Sequence, residues 1–209
     1  MIELPYVMVF AHQKGGSGKS TTCMNVATEM SKSYDTTLID FDSLRQTTKF
    51  NNNRENPIKQ QVISNERELE EFLKKDKGLT IIDLGGYDSD LSRASLILAD
   101  MIIIPMSDSD NDIDGFGEFM QIIQKIQEVR SDVKTFVLVN RVHHADKSTH
   151  RDLKEFASGS SFEVFDTVVR ENKLHKRMIF SGQNVVEKQQ FSKPAQEIQA
   201  LVKEIIQKA

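Results

Sequence analysis

Apolar residues in this chain fall into short blocks separated by longer polar stretches. Tyr6-Val7-Met8-Val9-Phe10, Leu79-Thr80-Ile81-Ile82, Met101-Ile102-Ile103-Ile104 and Phe136-Val137-Leu138-Val139 are too short for helix faces and end at polar, proline or glycine positions. They predict buried strands. Thr36 to Asp42 adds a further strand ending in two carboxylates, Asp40 and Asp42. Two apart on an extended chain, these would project to the same side.

Between the blocks the apolar spacing changes to three and four. It does so at Met24, Ala27 and Met30, at Leu91, Ala94 and Leu98 within Asp88 to Ala99, over Phe116 to Val129, and at Ile198, Leu201, Val202 and Ile205 within Pro194 to Lys208. Each predicts a helix with one buried face. Asn65 to Leu73 predicts an exposed helix with Asn65 as its cap. Ser148 to Ala157 also reads as helical, and residues 45–64 as a short helix with a polar surface connection. Strand and helix alternate through all 209 residues. The expected fold is therefore α/β: one domain over 1–209, a mostly parallel sheet with helices on both faces.

The turn between the first strand and the first helix carries the chemistry. It reads Ala11-His12-Gln13-Lys14-Gly15-Gly16-Ser17-Gly18-Lys19-Ser20-Thr21-Thr22. Strand, glycine-rich turn and helix is the context of a phosphate-binding loop. Gly15, Gly16 and Gly18 allow a tight bend that turns amide groups inward, with no Cβ in the way of a phosphate. A helix beginning near Lys19 adds its unpaired N–H groups and positive dipole end, so the stretch from Gly15 through Ser17 to Thr21 is the expected cradle for ATP. Lys19 would neutralise the β- and γ-phosphates, and the Ser20 hydroxyl would take one Mg²⁺ position. The strand ending Ile82-Asp83-Leu84-Gly85-Gly86 is a Walker B arrangement, in which Asp83 would hold a Mg²⁺-bound water.

The general phosphate-loop pattern has glycine where this chain has Gln13, and a second lysine, Lys14, stands at the loop entrance. Lys14-Gly15-Gly16-Ser17-Gly18-Lys19-Ser20 resembles the deviant Walker A signature of the ParA/MinD family. The resemblance continues through Asp40-Phe41-Asp42, Asp83, the Pro105–Asp112 segment and Val168–Val186. Ser43 and Leu44 replace the family's Pro-Gln after the second carboxylate, and Asp108 stands where proline is usual.

The resemblance implies a nucleotide-dependent homodimer in which Lys14 reaches the partner's phosphates. It implies Lys14, Lys19 and Asp42 as the catalytic set, with Asp42 orienting or deprotonating the attacking water and Asp40 supporting loop and metal. The segment around Ser109 and Asp112 would lie at the dimer face. Asn140, at the end of a strand, would recognise adenine through its amide donor and acceptor, a reading favoured over that of a simple turn residue. Arg170, Lys173, Lys176 and Arg177 are spaced to share one helical stripe. Such a stripe either grips duplex phosphates without reading bases or is an ordinary solvated face.

The implied function is that of a short partition ATPase, expected to lack an N-terminal DNA-binding extension because the first strand begins near Met1. ATP and Mg²⁺ would drive dimerisation and non-specific binding of nucleoid DNA. A centromere-binding adaptor of the ParB or ParG kind would stimulate hydrolysis. Two alternatives share the loop: a MinD-like or cargo-positioning ATPase, and a biosynthetic relative such as a dethiobiotin synthetase, which needs no Lys14.

Composition narrows this further. Net charge is −4, but residues 1–133 hold 14 Lys and Arg against 22 Asp and Glu, whereas residues 134–209 hold 13 against 9. A basic final third permits a local anionic partner on an acidic protein. Cys23 is the single cysteine, which excludes a disulfide framework and the two-cysteine cluster of nitrogenase iron protein. No apolar run approaches the roughly 18 residues of a membrane span. With no signal-peptide pattern and few lysines on the last helix, a cytoplasmic protein without a membrane partner is expected. The aspartates of 108–114 do not fit a calcium-loop spacing, and His143 and His144 lack companions at metal-ligand spacing.

Overall fold

Eight parallel strands build one sheet in the computed structural model, which describes residues 1–13, 15–86, 89–107, 110–142, 151–152, 155 and 162–209. The strands are β1 (Tyr6–Phe10), β2 (Thr36–Asp40), β3 (Lys59–Gln60), β4 (Leu79–Asp83), β5 (Met101–Met106), β6 (Lys134–Val142), β7 (Glu163–Val164) and β8 (Val169–Arg170). The helices are α1 (Lys19–Met30), α2 (Gln46–Asn52), α3 (Glu66–Lys75), α4 (Asp90–Ile97) and α5 (Asp110–Val129), then three single turns, α6 (Lys173–Lys176), α7 (Met178–Ser181) and α8 (Val185–Lys188), and finally α9 (Lys193–Lys208). The spatial order is β3-β2-β4-β1-β5-β6-β7, with β8 also pairing β6.

Side chains alternating along each strand divide the interior into two cores. Met8, Phe10, Leu38, Ile81, Ile103 and Leu138 pack on one face against α1 and α9. Val7, Val9, Ile39, Ile82, Ile102 and Val139 pack on the other against α3, α4 and α5. Strands buried on both faces read as continuous apolar runs, the pattern seen in the sequence. The sheet holds β2, β4 and β1 in register, so Asp40 lies beside Asp83 and Asp83 beside Phe10. All three chains therefore leave the sheet at one level, where the phosphate loop begins.

Three expectations need correction. The second strand stops at Asp40, because the Asp40 carboxylate accepts a hydrogen bond from the Asp42 amide at 3.0 Å and turns the chain. Asp42 thus lies in a turn and does not share a strand face with Asp40. The fifth helix begins at Asp110, six residues before Phe116. The basic stretch after residue 168 is no single helix: strand β8 is followed by the separate turns α6 and α7. Helices α3 and α4 are capped by Asn65 and Ser89, and α9 starts behind a Ser192 cap with Pro194 in its first turn. The helix expected over Ser148 to Ala157, His143 and His144 lie largely or wholly outside the described residues.

Candidate nucleotide site

The loop after β1 is shaped by two left-handed glycines, Gly16 at φ +97° and Gly18 at φ +87°. Only glycine takes this conformation at little cost. Gly18 is also crowded: a Cβ there would lie 2.3 Å from Asn140 Nδ2 and 3.2 Å from Arg141 Cδ. Gly15 differs, since a Cβ would meet nothing within 4 Å, which leaves open space at the loop's mouth. Lys14 lies outside the described residues.

Lys19 is 5% exposed at the start of α1, with Ser20 half-buried behind it. Asp83, fully buried, comes up beneath them from β4. Its Oδ2 accepts the Thr47 hydroxyl at 2.5 Å, and its Oδ1 has no partner among the described residues. Burial, reinforced by the Asp40 charge, pushes the Asp83 carboxyl up to about 7, while the Thr47 and Ser20 hydroxyls and the Lys19 charge pull the other way. Asp40 Oδ2 accepts from both the amide and the hydroxyl of Thr48 at 2.8 Å, and its carbonyl accepts from the Arg45 guanidinium. Asp40 therefore anchors the segment that carries Asp42. Asp42 itself accepts the Leu44 amide at 2.7 Å and packs on Gly85, where a Cβ would come within 2.9 Å of its Cα.

A hard divalent cation suits this corner. An unpartnered buried carboxylate oxygen and a serine hydroxyl are oxygen donors of the kind Mg²⁺ selects. Among the described residues no three His, Cys, Asp or Glu side chains could hold a metal unaided. Phosphate oxygens and water would have to complete the coordination. When bound, Mg²⁺ would offset phosphate charge.

Phosphate loop, Asp42 turn and the 169–176 segment surround a cavity of about 320 Å³. That is within the range of small-molecule sites, roughly 300–1,000 Å³. A larger depression of about 690 Å³ lies by the start of β6, away from the loop, and has no glycine cradle.

The wall opposite Asp42 is where sequence reasoning was least complete. Asn140, 2% exposed, donates its amide to the Ser17 carbonyl at 2.7 Å and so braces the loop. Arg141, left-handed at φ +58°, donates to the Gly16 carbonyl and lies 3.9 Å from Glu171. His175 faces the same cavity, its Nδ1 3.4 Å from the Asn25 amide, and burial holds its imidazole below the usual range. Nothing in the apolar pattern marked Thr47, Thr48, Arg141 or His175. For Arg141 the signal available was position alone, directly after Asn140; Thr47, Thr48 and His175 lie on helical turns away from any strand end.

The four basic residues do not share one helical stripe: Arg170 ends β8, Lys173 and Lys176 lie on α6, and Arg177 follows it. Arg170 donates from its guanidinium to Glu197 at 2.8 Å and from its backbone at 3.0 Å, and Glu197 is buried. Lys176 pairs with Glu171 at 2.7 Å, and both Arg170 and Lys176 line the cavity. Lys173 and Arg177 are exposed, on and just after α6.

Residues 8–185 match the CobQ/CobB/MinD/ParA nucleotide binding domain. Over 128 residues the chain is 31% identical to the protein ParA of Rhizobium radiobacter, a match that spans 58% of each protein. The fold is that of a plasmid partition protein from Borrelia burgdorferi bound to AMPPNP (TM-score 0.72, 18% identity, 98% of this chain and 100% of that one). It is equally that of the septum site-determining protein MinD from Pyrococcus horikoshii, complexed with Mg-ADP (TM-score 0.71, 14% identity, 96% and 95%). A family match over most of the chain, on a parallel sheet whose first turn is a phosphate loop, makes this chain a member of the CobQ/CobB/MinD/ParA family of P-loop nucleotide-binding proteins.

Proposed function

We propose that the chain is an ATP-hydrolysing partition protein, one whose ATP–Mg²⁺ form dimerises and binds DNA without sequence preference. The observation that carries the nucleotide part is Asp83: a buried carboxylate with one unpartnered oxygen, next to Lys19 and Ser20, at the foot of a loop bent by Gly16 and Gly18. Lys19 would hold the β- and γ-phosphates, Ser20 and Asp83 the ion directly or through water, and Asp42 the attacking water. Lys14 would reach the phosphates of a second copy.

The partition part is supported by the ParA relative and by the excess of Lys and Arg after residue 133. With Arg170 committed to Glu197, Lys173 and Arg177 are the better candidates for phosphate contacts. A centromere-binding adaptor would trigger hydrolysis, and the protein would then sit on nucleoid DNA. No helix among the described residues is long and apolar enough to cross a membrane.

The likeness to MinD supports a second reading, a positioning ATPase that works at a membrane surface. One set of measurements separates them: sedimentation of the full chain with ATP, ADP or no nucleotide, alone, with duplex DNA, and with anionic liposomes. Partition expects ATP-dependent dimers that co-sediment with DNA and leave liposomes alone. A monomer at saturating ATP and Mg²⁺ with hydrolysis blocked would overturn both readings.

A further inference from the structure

Helix α2 is fastened at both ends, to different parts of the molecule. At its start Thr47 donates to Asp83 Oδ2 at 2.5 Å, and Thr48 donates twice to Asp40 Oδ2. Its middle is held in the core by Phe50, which is fully buried. Just past its end, Asn53 donates to the Ile179 carbonyl at 2.8 Å. Arg54 donates to the Gly182 carbonyl at 3.1 Å and to both Glu187 oxygens at 2.9 and 3.0 Å. The fit there is close, since a Cβ on Gly182 would fall 2.1 Å from the Asn53 carbonyl oxygen.

A threonine hydroxyl has one hydrogen to give. Donated to Oδ2, it fixes the rotation of the Asp83 carboxylate and determines which oxygen is left for another partner. The oxygen left is Oδ1, buried and unpartnered. Thr47 cannot shift without α2, and α2 is a short stiff rod whose other end is set by the 179–187 segment.

We propose that Thr47 is a positioning residue for Asp83, and that the Arg54–Glu187 clamp determines where Thr47 stands. The inference deepens the reading of Asp83 as the magnesium carboxylate and rests on it. Its consequence is a mechanical path from the surface around α7 and α8 to the ion, without contact between that surface and the nucleotide.

The test measures Mg²⁺ affinity with no turnover. Mg²⁺ is titrated into the full chain saturated with N-methylanthraniloyl-ADP, and fluorescence is read. Groups that orient a metal ligand are worth on the order of 10-fold in metal affinity, so Thr47→Val should weaken Mg²⁺ about 10-fold and Thr47→Ser should restore it to within about 2-fold. Arg54→Met should weaken Mg²⁺ in the wild-type background and add nothing in the Thr47→Val background, because the two act in series. If Arg54→Met does not fold by circular dichroism, Glu187→Gln tests the same clamp. Normal Mg²⁺ binding in Thr47→Val alongside weakened binding in Asp83→Asn would sink the Thr47 assignment and leave the site intact. Normal binding in both would remove the site reading itself. Additive losses from Arg54→Met and Thr47→Val would overturn the clamp.

Discussion

Asn140 donates its side-chain amide to the Ser17 carbonyl at 2.7 Å, so the end of β6 is tied to the turn that carries Gly16 and Gly18. Asn140 and Gly18 are paired by size as well as by chemistry, because any Cβ at 18 would collide with that amide at 2.3 Å. Gly18→Ala should therefore cost about 1–3 kcal/mol, from strain at positive φ and displacement of Asn140. It should also abolish ATP binding. Asn140→Ala should remove the collision but not the backbone strain, so the double variant should be more stable than the sum of the single losses implies. Urea denaturation of the four proteins checks this, and strict additivity would show that the two residues do not meet.

Arg170 belongs to the fold before it belongs to any partner. Its ion pair with buried Glu197 joins β8 to α9 at 2.8 Å. Arg170→Ala would strand the Glu197 carboxylate in the interior, a change that typically costs roughly 3–5 kcal/mol for a buried pair and less here, where Arg170 is partly exposed. Lys173→Ala, at an exposed position, should alter stability by less than about 0.5 kcal/mol. If Lys173 touches DNA phosphate, that variant should instead weaken binding equally for all duplexes and lower the salt slope by about one. Thermal melts and salt-dependent DNA titrations of both variants separate the roles.

The contrast between those two residues shows what was readable in the sequence. Strands β1, β4, β5 and β6 are buried on both faces, so unbroken apolar runs marked them within a few residues. The phosphate loop was legible because its glycines and lysine are fixed by local backbone demands. Asp42 was placed on the wrong scaffold, since periodicity carries no information about the Asp40 side chain, which bends the chain by accepting the Asp42 amide. The single helix expected for the basic stripe was misplaced for a similar reason. Spacing of three and four describes one helix only if the helix continues, and α6 stops after one turn. Thr47, Arg54 and Glu197 were invisible because their partners are 36, 133 and 27 residues away.

Asp83 gives a pH signature that does not depend on catalysis. Its carboxyl titrates near 7 in the folded chain, against about 3.8 unfolded. A raised carboxylate pKa means that the folded state holds the proton longer, so this group's contribution favours folding below about pH 4 and is lost as pH rises to about 7. Asp83→Asn removes the ionisation. In EDTA the variant should match the wild type near pH 4 and exceed it above pH 7, by on the order of 2–4 kcal/mol. A pH-independent gap in denaturation midpoints would mean that Asp83 ionises freely.

Asp42 and Lys19 should separate binding from turnover. Lys19 sits 5% exposed at the start of α1 and lines the same cavity as Gly15. Lys19→Ala should lose ATP binding outright, and with it every nucleotide-dependent change in size. Asp42 contributes nothing to the loop's cradle: its described bonds run to the Asp40 carboxylate and to the Leu44 and Arg45 amides. Asp42→Ala should therefore still bind ATP and still dimerise, while hydrolysis falls about 10²-fold or more if the carboxylate acts as general base. The variant would then accumulate as a long-lived ATP dimer on DNA, visible as slowed dissociation after dilution. Unchanged ATP hydrolysis in Asp42→Ala would assign the water-activating role to another group, with Asp42 left as a turn residue.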